Sequence, residues 1–244
     1  VTSDFPAIIA DARTMWRGNR DLLLRVAGVF FFLPALALRL FVQPDMVEDV
    51  TLEQAFDATM EWAASNAHWL LAAQAVELYG SALVLLLLLD RGHPTLGEAM
   101  ARTSRLLPSF LLLWLLTSLL STIGTIAFIL PGIYLIGRTF VVGAALMAEP
   151  EKGPGAAFAT GIRATRGGRA WLLFLGVALW WLASAMGSAL AVDVALLLDS
   201  LGAGPIGAAA GEMLSALVSA AMTLVIVLAQ AAAYRRFAES KQGI

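Results

Sequence analysis

The 244-residue sequence has no cysteine, only two histidines, and charge on just 14% of its residues. Without cysteine there is neither a disulfide framework nor a thiolate metal module. Soluble domains carry about 25% charged and about 45–50% apolar residues. This chain is 59% hydrophobic with a mean hydropathy of +0.80, which excludes a soluble enzyme and a disordered chain alike. A phosphate loop is missing too, since Gly153-Pro154-Gly155 has neither the spacing nor the lysine.

Long apolar runs are abundant instead. A spanning helix needs about 20 mostly apolar residues to cross about 30 Å of hydrocarbon. Five stretches meet this directly, near 22–42, 66–89, 106–128, 170–192 and 206–234. A sixth, 131–148, is shorter, contains Arg138 and starts at Pro131-Gly132. Proline suits a first helical turn, where its missing N–H would have no partner anyway. The segment 124–132 is therefore read as the tight reversal between spans three and four. The expected fold is an all-α integral membrane protein with six transmembrane helices, one polytopic domain over 1–244.

Cations are absent from the loops 43–65 and 199–205, and 14 of the 16 Lys and Arg residues fall on the opposite side. By the positive-inside rule both termini are cytoplasmic. The arm before span one carries Asp4, Asp11 and Asp21 and has no small-residue cleavage pattern, which predicts an uncleaved chain. His68 and His93 then lie near opposite membrane faces, so no His-based metal site or catalytic triad assembles from them.

A pattern recurs before spans one, three and five: a proline, an amphipathic stretch with arginines, then the apolar run. In the first, Phe5, Ile8, Ile9, Ala12, Met15 and Trp16 share a face opposite Arg13 and Arg17. The second begins at Pro94 with capping-box spacing at Thr95 and Glu98 and carries Arg102 and Arg105. The third begins at Pro154 and leads into Arg163, Arg166 and Arg169. Such stretches predict three cytoplasmic interfacial helices whose arginines meet anionic lipid headgroups. They also predict a threefold hairpin repeat over 4–89, 94–148 and 154–234. Nucleic-acid binding would need a larger basic surface. In the outer loop Asp45, Glu48, Asp49, Glu53, Asp57 and Glu61 stand without a cation, and Thr51 and Gln54 have capping-box spacing. Leu52, Phe56, Met60 and Trp62 place an amphipathic helix on the outer surface, its acidic face either solvated or receiving a basic partner.

Ionisable residues at membrane depth carry the strongest functional signal, because hydrocarbon does not tolerate an unpaired charge. Glu77 lies near the middle of span two, Arg138 in span four and Glu212 near the outer start of span six. Glu77 and Arg138 differ by only about 6 Å in depth at 1.5 Å per residue, so a pair between them is expected. That pair either fixes helix register or forms a proton or substrate site; Glu212 is the next partner for Arg138. Gly207, Gly211 and Ser215 form a small-residue stripe on span six. Spacing of this kind lets helix backbones approach closely, either within the chain or in an oligomer.

The residues Leu130-Pro131-Gly132-Ile133-Tyr134-Leu135, Arg138, Glu149, Gly153-Pro154, Ala157 and Thr165-Arg166-Gly167 form a recognisable series. It resembles the membrane domain associated with some glycerophosphoryl diester phosphodiesterases and the related YciC-like bacterial inner-membrane proteins. Two departures stand out: Gly143-Ala144 where those families often have a proline, and Gly161-Ile162 where they often have Ser-Trp. The resemblance implies six spans with short cytoplasmic helices in a bacterial inner membrane. Within these 244 residues spans and connectors leave no room for the catalytic barrel of some relatives.

The expected function is therefore non-enzymatic, without cofactor or metal. It is a membrane scaffold or accessory subunit linked to envelope lipid homeostasis, partnered by anionic lipids and by further copies or a larger membrane complex. The alternative is a transporter or channel for a small or amphiphilic substrate, sited at Glu77 and Arg138. A polar cavity reaching Glu77 from either face separates the two.

Overall fold

A computed structural model describes residues 4–42, 51–90, 92, 94–127, 129–202 and 204–239. Asp45, Glu48, Asp49, Arg91, His93 and Lys241 lie outside the described residues, and so does the side chain of Asp199. The described residues are almost all helical, and six of the helical stretches are long and apolar enough to cross a membrane.

Span one is a single rod made of α1 (Asp4–Ala27), a π-helical turn (Gly28–Phe32) and α2 (Leu33–Phe41). The π register has a local cause. Pro34 has no N–H and its ring crowds the carbonyl four residues earlier. Just ahead of it the Leu33 N–H reaches back five residues to the Gly28 carbonyl. Span two is α4 (Ala67–Leu89), entered from α3 (Leu52–Ser65), whose Thr51/Gln54 capping box is fully formed. Span three is α5 (Leu96–Ala127), and Thr95 and Glu98 close the second capping box at its start. Span four is broken into α6 (Ile129–Thr139) and α7 (Val142–Ala148). Then follow α8 (Gly153–Ala164), span five as α9 (Gly168–Ser200) and span six as α10 (Gly204–Glu239).

Two of the expected interfacial helices are not separate elements. The stretches 5–17 and 96–105 run on into spans one and three without a break. No positive-φ residue lies at either junction, and Pro108 sits inside α5 without ending it, so the helix propagates through both. The third stretch is a separate helix, because Gly167 at φ 67° supplies the left-handed residue that ends it. This α8 is not an isolated surface helix. It packs back on α7, with Gly161 against Val142 and Ala157, Gly161 and Ala164 buried.

The core sits toward the end of the bundle that holds the arginine-rich segments, here called the basic end. Leu83–Leu86 of α4, Val142 to Met147 of α7 and Ala231–Ala233 of α10 are nearly all sealed from solvent, and Leu23 of α1 joins them. Close approaches tighten this half. A Cβ on Gly137 would run into the carbonyl of Ala170, so α6 and α9 touch backbone to backbone there. Toward the opposite end, which carries α3, packing loosens. Only 11% of the most apolar window of α5 and 6% of that of α9 is buried. Those two helices turn their leucines and tryptophans outward, as lipid-facing spans do.

Candidate functional site

The loose end of the bundle holds a cleft of ≈ 360 Å³ between α2, α3, α4 and α10. Its walls are apolar and aromatic, including Phe31, Leu38, Trp62 and Leu70, and its polar groups are Arg39, Glu77, Glu212, Ser219 and Thr223. The π turn puts Phe31 into this wall just before Pro34, and π segments of this kind recur at functional sites.

Glu77 forms the deepest charge. It is ten residues from the start of α4, about 15 Å along the axis, which is half of a 30 Å hydrocarbon slab. Thr223 Oγ1 donates to Glu77 Oε1 at 3.0 Å. One hydroxyl does not exhaust a carboxylate with about four lone-pair sites. Nearer the α3 end, Arg39 Nη1 stands 3.5 Å from Glu212 Oε2, with the side chains 34% and 33% exposed. Trp62 Nε1 lines the same space, buried and without a hydrogen-bond partner. The cleft thus contains two carboxylates, one guanidinium, an unspent N–H donor and aromatic walls. If both carboxylates are ionised, its balance is negative by one charge.

The expected pair of Glu77 with Arg138 does not form. The Arg138 guanidinium lies 5.7 Å from the centroid of the Tyr134 ring, and among the described residues no ion pair joins it to Glu77 or Glu212. Similar depth was not enough, because α4 and α6 make little contact with each other. Both α4 and α6 pack on α5, but Glu77 turns to Thr223 of α10, whereas the other main neighbour of α6 is α9. Arg138 contributes through its backbone: Thr165 Oγ1 donates to its carbonyl at 2.8 Å and to that of Gly161 at 2.9 Å. This bond answers one of the orphan carbonyls where span four breaks.

No family model, curated protein or solved structure matches this chain. Within the Thr165-Arg166-Gly167 series, the Thr165 hydroxyl ties the end of α8 to the break in span four.

The other singled-out residues are distributed as follows. Arg13, Arg17, Arg105 and Arg166 are exposed near the basic end. Arg102 is held by Asp90 at 2.6 Å, Arg163 Nε donates to the Ala159 carbonyl at 3.1 Å, and the Arg169 guanidinium sits 4.6 Å from the Phe237 ring centroid. Gly207 and Ser215 are buried, and a Cβ on Gly211 would meet that of Ala195, so the α10 stripe is occupied by α9 of the same chain. His68 lies beside Trp69, and among the described residues no cluster of His, Cys, Asp and Glu is suited to a metal ion.

Arg39, Trp62 and Thr223 were missed as site residues from sequence. Arg39 was absorbed into the apolar run 22–42, and Trp62 was assigned to a surface face. A signal existed for Thr223: with Glu212 and Ser219 it falls on one face of span six.

Proposed function

We propose that this protein is a transporter or channel of a bacterial inner membrane, with the basic end cytoplasmic, that admits a small amphiphilic cation through the cleft. The observation that carries the reading is a polar cleft ending on a mid-depth carboxylate. Glu77 supplies the counter-charge, Phe31 and Trp62 supply aromatic surface suited to an organic cation, and the apolar wall accepts its hydrocarbon part. The Arg39–Glu212 pair flanks the path and keeps the rest of the cleft near neutrality. Ordered packing at the basic end and open space at the α3 end fit a molecule open to the outer side. The proposal assigns no chemical transformation to the protein.

The scaffold reading draws on a different feature. An almost wholly apolar groove of ≈ 710 Å³ runs between α1 and α10, with Arg13 and Trp16 at its basic end. An anionic lipid is its natural occupant, which is compatible with transport and does not need it.

The test uses proteoliposomes and labelled N-methylpyridinium, a small organic cation. Saturable uptake is expected, and Glu77→Gln should weaken it about tenfold or more, since a charge-assisted contact is worth about 1.5–3 kcal/mol. Uptake no greater than in protein-free vesicles overturns the transport reading.

A further inference from the structure

The membrane-embedded part of α10 carries its polar residues on one side only. From Gly204 to Gln230 they are Glu212, Ser215, Ser219, Thr223 and Gln230. At 3.6 residues per turn these five fall within about 80° of arc. Small-residue packing explains Ser215, which is buried against the neighbouring helices. It does not explain a glutamine two turns beyond Thr223, where an unanswered amide in hydrocarbon is costly.

Gln230 borders a second, partly open cavity of ≈ 240 Å³ among α5, α6, α7, α9 and α10 beside the break in span four. Phe110, Trp114 and Phe140 line it. Its two threonines are already engaged: Thr117 donates to the Trp114 carbonyl at 3.0 Å and Thr139 to the Leu135 carbonyl at 2.9 Å. Gln230 has no hydrogen-bond partner among the described residues. A carbonyl oxygen among three aromatic rings suits a small organic cation, more weakly than a carboxylate does. Along α10, Thr223 of the cleft, bonded to Glu77, and Ile226 of this cavity are three residues, about one turn, apart.

We infer that the Gln230 cavity is a second station for the same cation, reached from the cleft along the polar face of α10 when the Glu77–Thr223 contact opens. The inference rests on the cleft being a cation site. A strong first site followed by a weaker uncharged one is what passage requires, since a ligand held too tightly does not leave.

Two tryptophans report the two places separately: Trp62 lines the cleft and Trp114 the inner cavity. The full chain, labelled with 5-fluorotryptophan and held in lipid nanodiscs, is titrated with N-methylpyridinium and followed by fluorine NMR. Trp62→Phe and Trp114→Phe assign the two resonances. Both should shift saturably. Gln230→Leu should abolish the saturable shift of Trp114 and leave that of Trp62 unchanged. Gln230→Glu should tighten the Trp114 response about tenfold, which excludes misfolding as the cause of the loss. A saturable Trp62 shift with a Trp114 resonance that is silent, or indifferent to both Gln230 variants, overturns the second station and leaves the cleft standing. Silence at both tryptophans overturns the cleft as a cation site and the inference with it.

Discussion

A carboxylate halfway across a membrane persists only where its charge or its lone pairs are answered. Glu77 is answered in part by Thr223 and otherwise opens on the cleft, whereas Glu212 is answered by Arg39. The second pair is only a third exposed, so it stands between the surface regime, worth about 0–1 kcal/mol, and the buried one, where removing a partner costs about 3–5 kcal/mol. We expect Arg39→Leu and Glu212→Leu each to lower stability by about 1–3 kcal/mol. The double variant should recover part of that loss, because it strands neither charge. Thermal unfolding in detergent measures all three, and strictly additive losses would show that the contact carries no coupling.

At the scale of elements, the breaks matter more than the helices. The π turn before Pro34, the interruption of span four at residues 140 and 141, and the left-handed Gly167 decide where side chains point. Span four could have run straight and carried Arg138 toward α4. Instead α7 takes the central position, sealed among α4, α8 and α10, and α6 is pushed against α9. The Gly137 contact with Ala170 allows that crossing. Gly137→Ala should therefore be strongly destabilising, since the atom in its way is backbone and has nowhere to go. Gly18, in α1, has open space where a Cβ would be. Gly18→Ala should raise stability by about 1 kcal/mol through helix propensity alone. Melting curves of the two variants should move in opposite directions; a Gly137→Ala protein as stable as the parent would mean α6 and α9 do not approach so closely.

For the whole molecule, the division between a packed basic end and an opened α3 end is the dominant feature. It places the cleft on the side of the membrane that α3 occupies and puts the thicker core beneath it. In the orientation proposed from the cation asymmetry, that side is the exterior. A reporter fused after Ile244 should then be active only in a form that works in the cytoplasm. One inserted beside Asp57, on α3, should be active only in a form that works when exported. The opposite result at either site would reverse the molecule in the membrane and turn the cleft toward the cytoplasm.

The sequence by itself determined the number of spans, both capping boxes and the segregation of arginines to one end; of the reversal expected over 124–132, residues 124–127 are the end of α5 and 129–132 the start of α6. All of these are written in short windows: an apolar run of fixed length, a hydroxyl three residues before a glutamate or glutamine, a charge count per loop. Position along each helix was legible for the same reason, because it grows by a constant rise per residue. Azimuth was not. Whether Glu77 meets Arg138 or Thr223 depends on how each helix is rotated and which neighbour it faces, and that is settled by packing between residues as far apart as 77 and 223. The same holds for the amphipathic stretches. Their periodicity marks a helix with two faces, but only the tertiary structure decides whether that helix lies in the interface, continues a span, or folds back on the core as α8 does. Covalent neighbours fix the first property; the competition among packed surfaces fixes the second.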